Sequence, residues 1–386
     1  MRVGIFGGTF NPPHSGHESA AKTAAAQLSL DILLVVPSGI PPHKRLPQGS
    51  PSADIRLAMT QNAFSEIPGS IVSDIEVRIS GPAYTIETVN AIKKMYPDAE
   101  LFLLMGTDMF LSLELWKDHL SLLKNITPVV FSRSDDDLKK ITEYASHLTE
   151  KYGSHVEIIK NTVVPVSSSE LRDILPLRGG MRYINDTNYS YIIRSRLYNA
   201  RPDWDWLRTK AHEMLNPKRV PHVIACEKMA LELAERWNVN EDDAREAAIL
   251  HDITKRLDID EHQSVLKEYS GVSISKPTKS ESKLLHAMTG AILAKALFGV
   301  SDEVEDAIRW HTTGKAKMST LSKVLYLADY VEETRDFPGV EDLRRLAFEN
   351  IDEAMIMGLE MTISDITARG IAPDEATLAA IGDLKG

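Results

Sequence analysis

The chain has 386 residues, 43% of them apolar and 26% charged, with a formal charge of −11. That length accommodates two cores, the composition excludes a disordered chain, and the negative balance argues against a nucleic-acid partner and for small nucleotides. One cysteine, Cys226, excludes an intrachain disulfide, and no apolar run approaches the ~18 residues that span a bilayer. The first apolar run, residues 3–6, reads as a strand and not as a signal peptide. A cytoplasmic protein without a membrane partner is expected; self-association is left open.

In chain order, strands are predicted over residues 3–6, 32–36, 101–105, 128–131, and 156–159 or 162–164. Helical periodicity falls between them, over 17–28, 55–64, 85–96 and 136–151. This alternation predicts an α/β, Rossmann-like, doubly wound parallel sheet, with ligands beyond the carboxyl ends of its strands. Both Gly7-Gly8-Thr9 and Gly106-Thr107-Asp108 follow strands, and the basic, Pro-rich loop 37–45 leaves another. After about residue 200 the strand pattern stops. Helical patterns follow over 220–237, 241–255, 280–298, 302–310, 319–333 and about 344–369. They predict an all-α second domain, with domains at 1–200 and 201–386.

The segment Gly7-Gly8-Thr9-Phe10-Asn11-Pro12-Pro13-His14-Ser15-Gly16-His17 carries the first chemistry. Two glycines let backbone N–H groups approach a phosphate, and a helix starting near Ser15 places His14 and His17 at its N-terminus, where anions are favoured. Ser167-Ser168-Ser169-Glu170-Leu171-Arg172 reads as a capped helix start. Arg172, placed in the first turn, opposes the helix dipole, a conflict that a bound phosphate would resolve.

Taken together these motifs resemble the nucleotidyltransferase superfamily with the H-x-G-H signature, specifically nicotinate-nucleotide adenylyltransferases. Pro41-Pro42-His43-Lys44, Tyr84-Thr85 with Thr88, Gly106-Thr107-Asp108 and Trp116 follow in family order over about residues 1–200. Asn11 stands where the family commonly has Asp, and Ser169 where it has Thr. The resemblance implies attack by the 5′-phosphate of nicotinate mononucleotide on the α-phosphorus of ATP, with Mg²⁺ bridging phosphates. It implies that His14 and His17 meet ATP phosphates, that Lys44, Ser168, Ser169 and Arg172 meet the polyphosphate, and that Thr85, Asp108 and Trp116 lie on the pyridine-nucleotide side. Nicotinamide mononucleotide is the alternative acceptor.

The second half holds His222, His251-Asp252, His286, His311 and Asp329, a donor set suited to Fe, Mn or Zn. His212 and His262 lie in charged surroundings and read as surface residues. The order His…His-Asp…Asp, with Leu250-His251-Asp252-Ile253-Thr254-Lys255 and Trp310-His311-Thr312-Thr313-Gly314, resembles HD-domain phosphohydrolases. More closely it resembles the YqeK-like symmetrical diadenosine tetraphosphate hydrolases, over about residues 203–386. That resemblance implies a di-iron or other divalent pair. His222, His251, Asp252 and Asp329 would hold one ion, and Asp252 would bridge to a second on His286 and His311. Lys255, placed one turn beyond the doublet on the same helix, meets the substrate phosphate in this reading, as do Arg219 and Thr312. Cys226, one turn after His222, reads as a small packing residue. The alternative is a metal- and nucleotide-binding module that regulates its neighbour without hydrolysis.

Overall fold

The computed structural model describes residues 1–41, 45–132, 135–160, 164–271 and 284–386. The chain divides into two compact units, Met1–Arg201 and Pro202–Gly386. Among the described residues, no helix is long and apolar enough to cross a membrane.

The first unit runs β1 (Arg2–Gly8), α1 (Ser15–Gln27), β2 (Ile32–Pro37), α2 (Ala53–Phe64), β3 (Ser70–Val72), α3 (Thr85–Met95), β4 (Glu100–Gly106), α4 (Thr107–Leu111), α5 (His119–Asn125), β5 (Thr127–Ser132), α6 (Asp135–Tyr152), β6 (Glu157–Lys160), α7 (Ser168–Ile174) and α8 (Asp186–Arg194). The six strands pair in parallel in the order β3-β2-β1-β4-β5-β6. The strand runs are apolar throughout because both faces are covered. Val3, Ile5, Leu103 and Val130 pack on one side, and Phe6, Leu33, Leu104 and Val129 on the other. The order reverses between β1 and β4, so the crevice for a ligand opens beyond Gly8 and Gly106.

The second unit is all helical: α9 (Trp204–Met214), α10 (Val220–Trp237), α11 (Glu241–Leu250), α12 (Ile259–Ser270), α13 (Leu285–Phe298), α14 (Asp302–Trp310), α15 (Thr320–Val331), α16 (Val340–Glu349), α17 (Ile351–Ala368) and α18 (Glu375–Lys385). Its core includes Ala247, Leu250, Ala294, Val324 and Leu327, all essentially inaccessible.

Several expectations are corrected. The helix expected over 344–369 is two helices. Asn350 adopts an extended backbone, and its side chain accepts from the N–H groups of Asp352 and Glu353 to start α17. The helix expected to run through residue 255 ends at Leu250, so Lys255 lies in the following turn, its N–H bonded to the Asp252 carbonyl at 2.8 Å. His262 is buried at 3% exposure and pairs through Nδ1 with the Thr289 hydroxyl at 2.8 Å. Arg172 lies in the last turn of a two-turn helix, where the dipole favours a cation, so the predicted electrostatic conflict does not arise.

Candidate functional sites

In the first unit, His14 caps α1. Its Nδ1 accepts from the Gly16 N–H at 3.2 Å, and the His14 N–H in turn donates to Nδ1 of His17 at 3.2 Å. A backbone N–H can only donate. Each neutral ring therefore carries its proton on Nε2 and presents a donor there. The ring centroids are 3.8 Å apart, so the two imidazoles lie side by side at the start of α1. Gly16 suits this fold-back, because a Cβ at that position would crowd the His14 ring at 3.0 Å. A Cβ on Gly7 would meet nothing within 4 Å, which leaves the end of β1 open for a ligand.

The loop between β1 and α1 is tied down carbonyl by carbonyl. Arg56 of α2 donates to Thr9 O at 2.8 Å, Arg172 of α7 to Asn11 O at 2.7 Å, and the Ser168 hydroxyl to Pro12 O at 2.8 Å. The Asn11 side chain, 2% exposed, donates to the Ser50 hydroxyl and accepts from Tyr198 Oη, each at 2.8 Å. Asn11 therefore holds the loop, which gives its amide a use that a carboxylate could not match in full. Arg172 also donates to Ser168 O and Ser169 Oγ at 3.0 and 2.9 Å. Ser168 and Arg172 thus fasten the histidine loop from α7. Lys44 lies outside the described residues.

On the other side of the crevice, Thr85 opens α3, and Asp108 is exposed in the first turn of α4. Trp116 is half-buried against the core cluster, its Nε1–H 3.4 Å from Ser112 Oγ. Lys117 stands over the Tyr84 ring at 4.0 Å and pairs with Glu87, joining the Trp116 turn to the start of α3. Thr88 donates to Glu76 at 2.7 Å, and burial pushes that carboxyl upward.

In the second unit, the structure brings all six predicted ligand residues together. Three overlapping groups, His222/His251/Asp252, His251/His311/Asp329 and Asp252/His286/His311, each have ligand atoms within 4.8 Å of one another. His251 and His311 are the C-cap residues of α11 and α14. Each Nδ1 lies 2.7 Å from the carbonyl three residues back, Ala248 O and Ile308 O. A carbonyl only accepts, so Nδ1 holds the proton and Nε2 presents a lone pair. His222 does the same through Glu332, a carboxylate 0% exposed, at 3.0 Å.

The donor set fits a metal pair on three observations. His222 Nε2, His251 Nε2 and Asp252 Oδ1 are buried without a hydrogen-bond partner. His286 Nε2 and His311 Nε2 face each other at 3.3 Å, and His286 Nε2 already accepts from Lys255 Nζ at 2.7 Å, so two lone pairs converge where a cation is needed. Burial, then His311 and Lys255, push His286 down to about 4, which keeps it neutral. Nitrogen and oxygen donors of this kind suit iron, manganese or zinc. Cys226 is buried, and burial drives its thiol well upward, in keeping with a packing role.

Cations ring this centre. Arg219 pairs with Asp252 Oδ2, Lys255 Nζ lies 3.4 Å from Asp252 Oδ1, and Arg335 Nη2 lies 2.6 Å from Asp329 Oδ1. Thr312 is half-buried beside His311 in sequence. Sequence reasoning missed Arg56, Glu332 and Arg335. The first reads as an ordinary helix-surface cation, and the other two as part of a solvated charged run.

The chain matches the cytidylyltransferase-like family over residues 5–174 and the HD domain over residues 219–334. A Mycoplasma genitalium protein named "Probable nicotinate-nucleotide adenylyltransferase/Ap4A hydrolase" is 30% identical over 93% of this chain and 97% of its own length. A Geotalea daltonii "Probable nicotinate-nucleotide adenylyltransferase" is 34% identical over 52% of this chain and 99% of its own. Among solved structures, a predicted HD superfamily hydrolase involved in NAD metabolism from Clostridium acetobutylicum is 32% identical, with a TM-score of 0.46, over 48% of this chain and 98% of that one.

Proposed function

Because the chain belongs to the nicotinate-nucleotide adenylyltransferase family, in the form that carries an HD domain behind the transferase, we propose that it performs two reactions. The first unit transfers the adenylyl group of ATP to nicotinate mononucleotide. The second hydrolyses diadenosine tetraphosphate to two molecules of ADP. The observation that carries the first reading is the pair of Nε2–H donors fixed at the start of α1, beside the open end of β1.

In the transfer, a phosphate oxygen of the mononucleotide bonds to the α-phosphorus of ATP. The bond from that phosphorus to the bridging oxygen breaks, and pyrophosphate leaves with the electron pair. No protein nucleophile takes part; the site positions two anions and offsets their repulsion. His14 and His17 donate to phosphate oxygens and stabilise charge moving onto the leaving group. Arg172 and Ser168 keep those donors in place through Asn11 O and Pro12 O. Lys44 is assigned to the polyphosphate, Mg²⁺ arrives with ATP, and Thr85, Asp108 and Trp116 are assigned to the pyridine nucleotide.

In the second unit His222, His251, Asp252 and Asp329 would hold one divalent ion, and Asp252, His286 and His311 a second. Such a pair clamps a phosphate and lowers the pKa of water. Around it, Arg219, Lys255 and Arg335 bind the phosphate chain, and Thr312 offers a hydroxyl. The full set of six ligands supports turnover over a purely sensing role.

The test is direct. Pyrophosphate release is measured with ATP and either nicotinate or nicotinamide mononucleotide, and ADP release from diadenosine tetraphosphate with Fe²⁺ or Mn²⁺. Faster release with the acid than with the amide is expected. Absence of transfer with both mononucleotides defeats the first assignment. Absence of ADP across the metals, with transferase rates altered by the tetraphosphate, supports a regulatory second unit in its place.

A further inference from the structure

Arg56 is among the largest fully buried side chains, at 1% exposure. It stands on α2, and α2 is itself pinned by Asn188 of α8, whose Nδ2–H donates to Met59 O at 2.8 Å. Its guanidinium reaches two loops at once. Nη1 donates to Thr9 O at 2.8 Å, on the loop that leads to His14 and His17, and to Ser38 O at 2.7 Å. Nη2 donates to Gly39 O at 2.8 Å, on the loop that leaves β2 towards Lys44. Among the described residues no carboxylate is paired with it, and its Nε–H has no hydrogen-bond partner.

A buried cation without an anion is a poor way to hold two loops, because desolvation weighs against it and an apolar residue packs better. Burial does push Arg56 downward from its ordinary pKa. Two properties justify the residue chemically. The planar fork reaches three carbonyls in fixed directions, which a lysine ammonium cannot do. The unneutralised charge lies behind the end of β1, where Gly7 leaves space for an anion. The β2 loop is pressed from its other side as well: a Cβ on Gly39 would stand 2.4 Å from Glu76 O. The loop is therefore held between Arg56 and the turn at residues 74–79.

We propose that Arg56 is a positioning residue for ATP, spacing the histidine loop from the β2 loop and lending uncompensated positive charge to the phosphate site between them. This rests on the reading of the first unit as an adenylyltransferase. Its direct contacts fall on the histidine loop and the β2 loop, so the larger effect is expected on ATP.

The experiment uses the full chain and the variants Arg56→Lys and Arg56→Met. Steady-state kinetics are measured in both substrates, with Mg·ATP affinity by calorimetry and folding by circular dichroism and melting. Misplacing donors by an ångström costs up to about 100-fold. In Arg56→Met, KM for ATP rises about tenfold or more and kcat falls, while KM for the mononucleotide stays within about twofold. Arg56→Lys restores part of kcat by keeping the charge. Wild-type kcat and ATP KM in Arg56→Met overturn the proposal. So do equal rises in both KM values with no advantage for lysine, the signature of a merely structural residue. If the methionine variant does not fold, an unchanged ATP KM in Arg56→Lys overturns it and a raised one supports it. If the wild type transfers nothing to either mononucleotide, the adenylyltransferase reading fails by itself. The ATP affinity of Arg56→Lys then decides this proposal, weaker binding supporting it and equal binding overturning it.

Discussion

The two units use the same side chain in opposite senses. In the first, His14 and His17 sit at a helix start, and their Nδ1 atoms accept from backbone N–H groups. In the second, His251 and His311 sit at helix ends, and their Nδ1 atoms donate to backbone carbonyls. A helix leaves unpaired N–H groups at its start and unpaired carbonyls at its end. The end of the helix chosen thus decides which face of the imidazole Nε2 shows. A start yields an N–H, suited to a phosphate oxygen; an end yields a lone pair, suited to a metal. The wider surroundings follow the same division. The first site has its loop carbonyls satisfied by side chains, whereas in the second the candidate ligands themselves, His222 Nε2, His251 Nε2 and Asp252 Oδ1, are buried without a hydrogen-bond partner.

The sharpest way to break this contrast is Asp252→Ala, which removes the carboxylate common to two of the three ligand groups. Bound metal is lost and hydrolysis of the tetraphosphate falls by at least about 1000-fold, with adenylyl transfer unchanged. Metal analysis and the two assays check this; a simultaneous loss of transfer contradicts the division. Next, His17→Ala lowers kcat for transfer by about 100- to 1000-fold and spares hydrolysis. Nitrogen NMR on the wild type reads the cause directly: His14 and His17 carry the proton on Nε2, His251 and His311 on Nδ1.

A smaller effect attends Glu332→Gln. Losing the carboxylate behind His222 weakens metal affinity by about 10- to 100-fold, measured by competition with a chelator, while the ligands remain. The smallest concerns a surface cluster apart from both centres. Glu114 accepts from Tyr152 Oη at 2.6 Å and Lys151 Nζ at 3.0 Å, and these bonds bring it down to about 2. A carboxyl lowered in the folded state stabilises above its ordinary value of 4.5 and ceases to do so as pH falls toward 2. Glu114→Gln therefore lowers the melting temperature of the first unit by no more than about 2 °C at neutral pH. The gap from wild type narrows below pH 4.5, and calorimetry finds the transition of the second unit unmoved.

Much of the sheet and the clustering of the six His and Asp residues in the second unit were legible in the sequence, because buried parallel strands are written as apolar runs and the second-unit motif is ordered along the chain. The edge strand Ser70–Val72 was not legible: at three residues with Ile71 exposed, it carries no pattern. Asn350 was hidden within an apolar helical period, although an Asn followed by Asp352 and Glu353 is a start signal. Arg56 and Glu332 were illegible for a different reason. Burial of a charge follows from what the rest of the chain places around it, and the local sequence Asp54-Ile55-Arg56-Leu57 is that of any amphipathic surface. The place of Arg172 in its helix was misjudged because the length of that helix was unknown, and with only two turns a residue at the fifth position is already at the end.

One pairing in the second unit bears on the order of events there. Arg219 and Lys255 both engage Asp252, through different oxygens. On the proposed reading, a metal ion taking those oxygens would compete with the two side chains, and its uptake would leave a guanidinium and an ammonium beside the new centre. They would become receptors for an anion only once the metal had arrived. Metal and phosphate should then bind with positive cooperativity, each raising the affinity of the other by the same factor. The empty centre would attract little substrate, and the loaded one would be slow to release its metal while substrate is present.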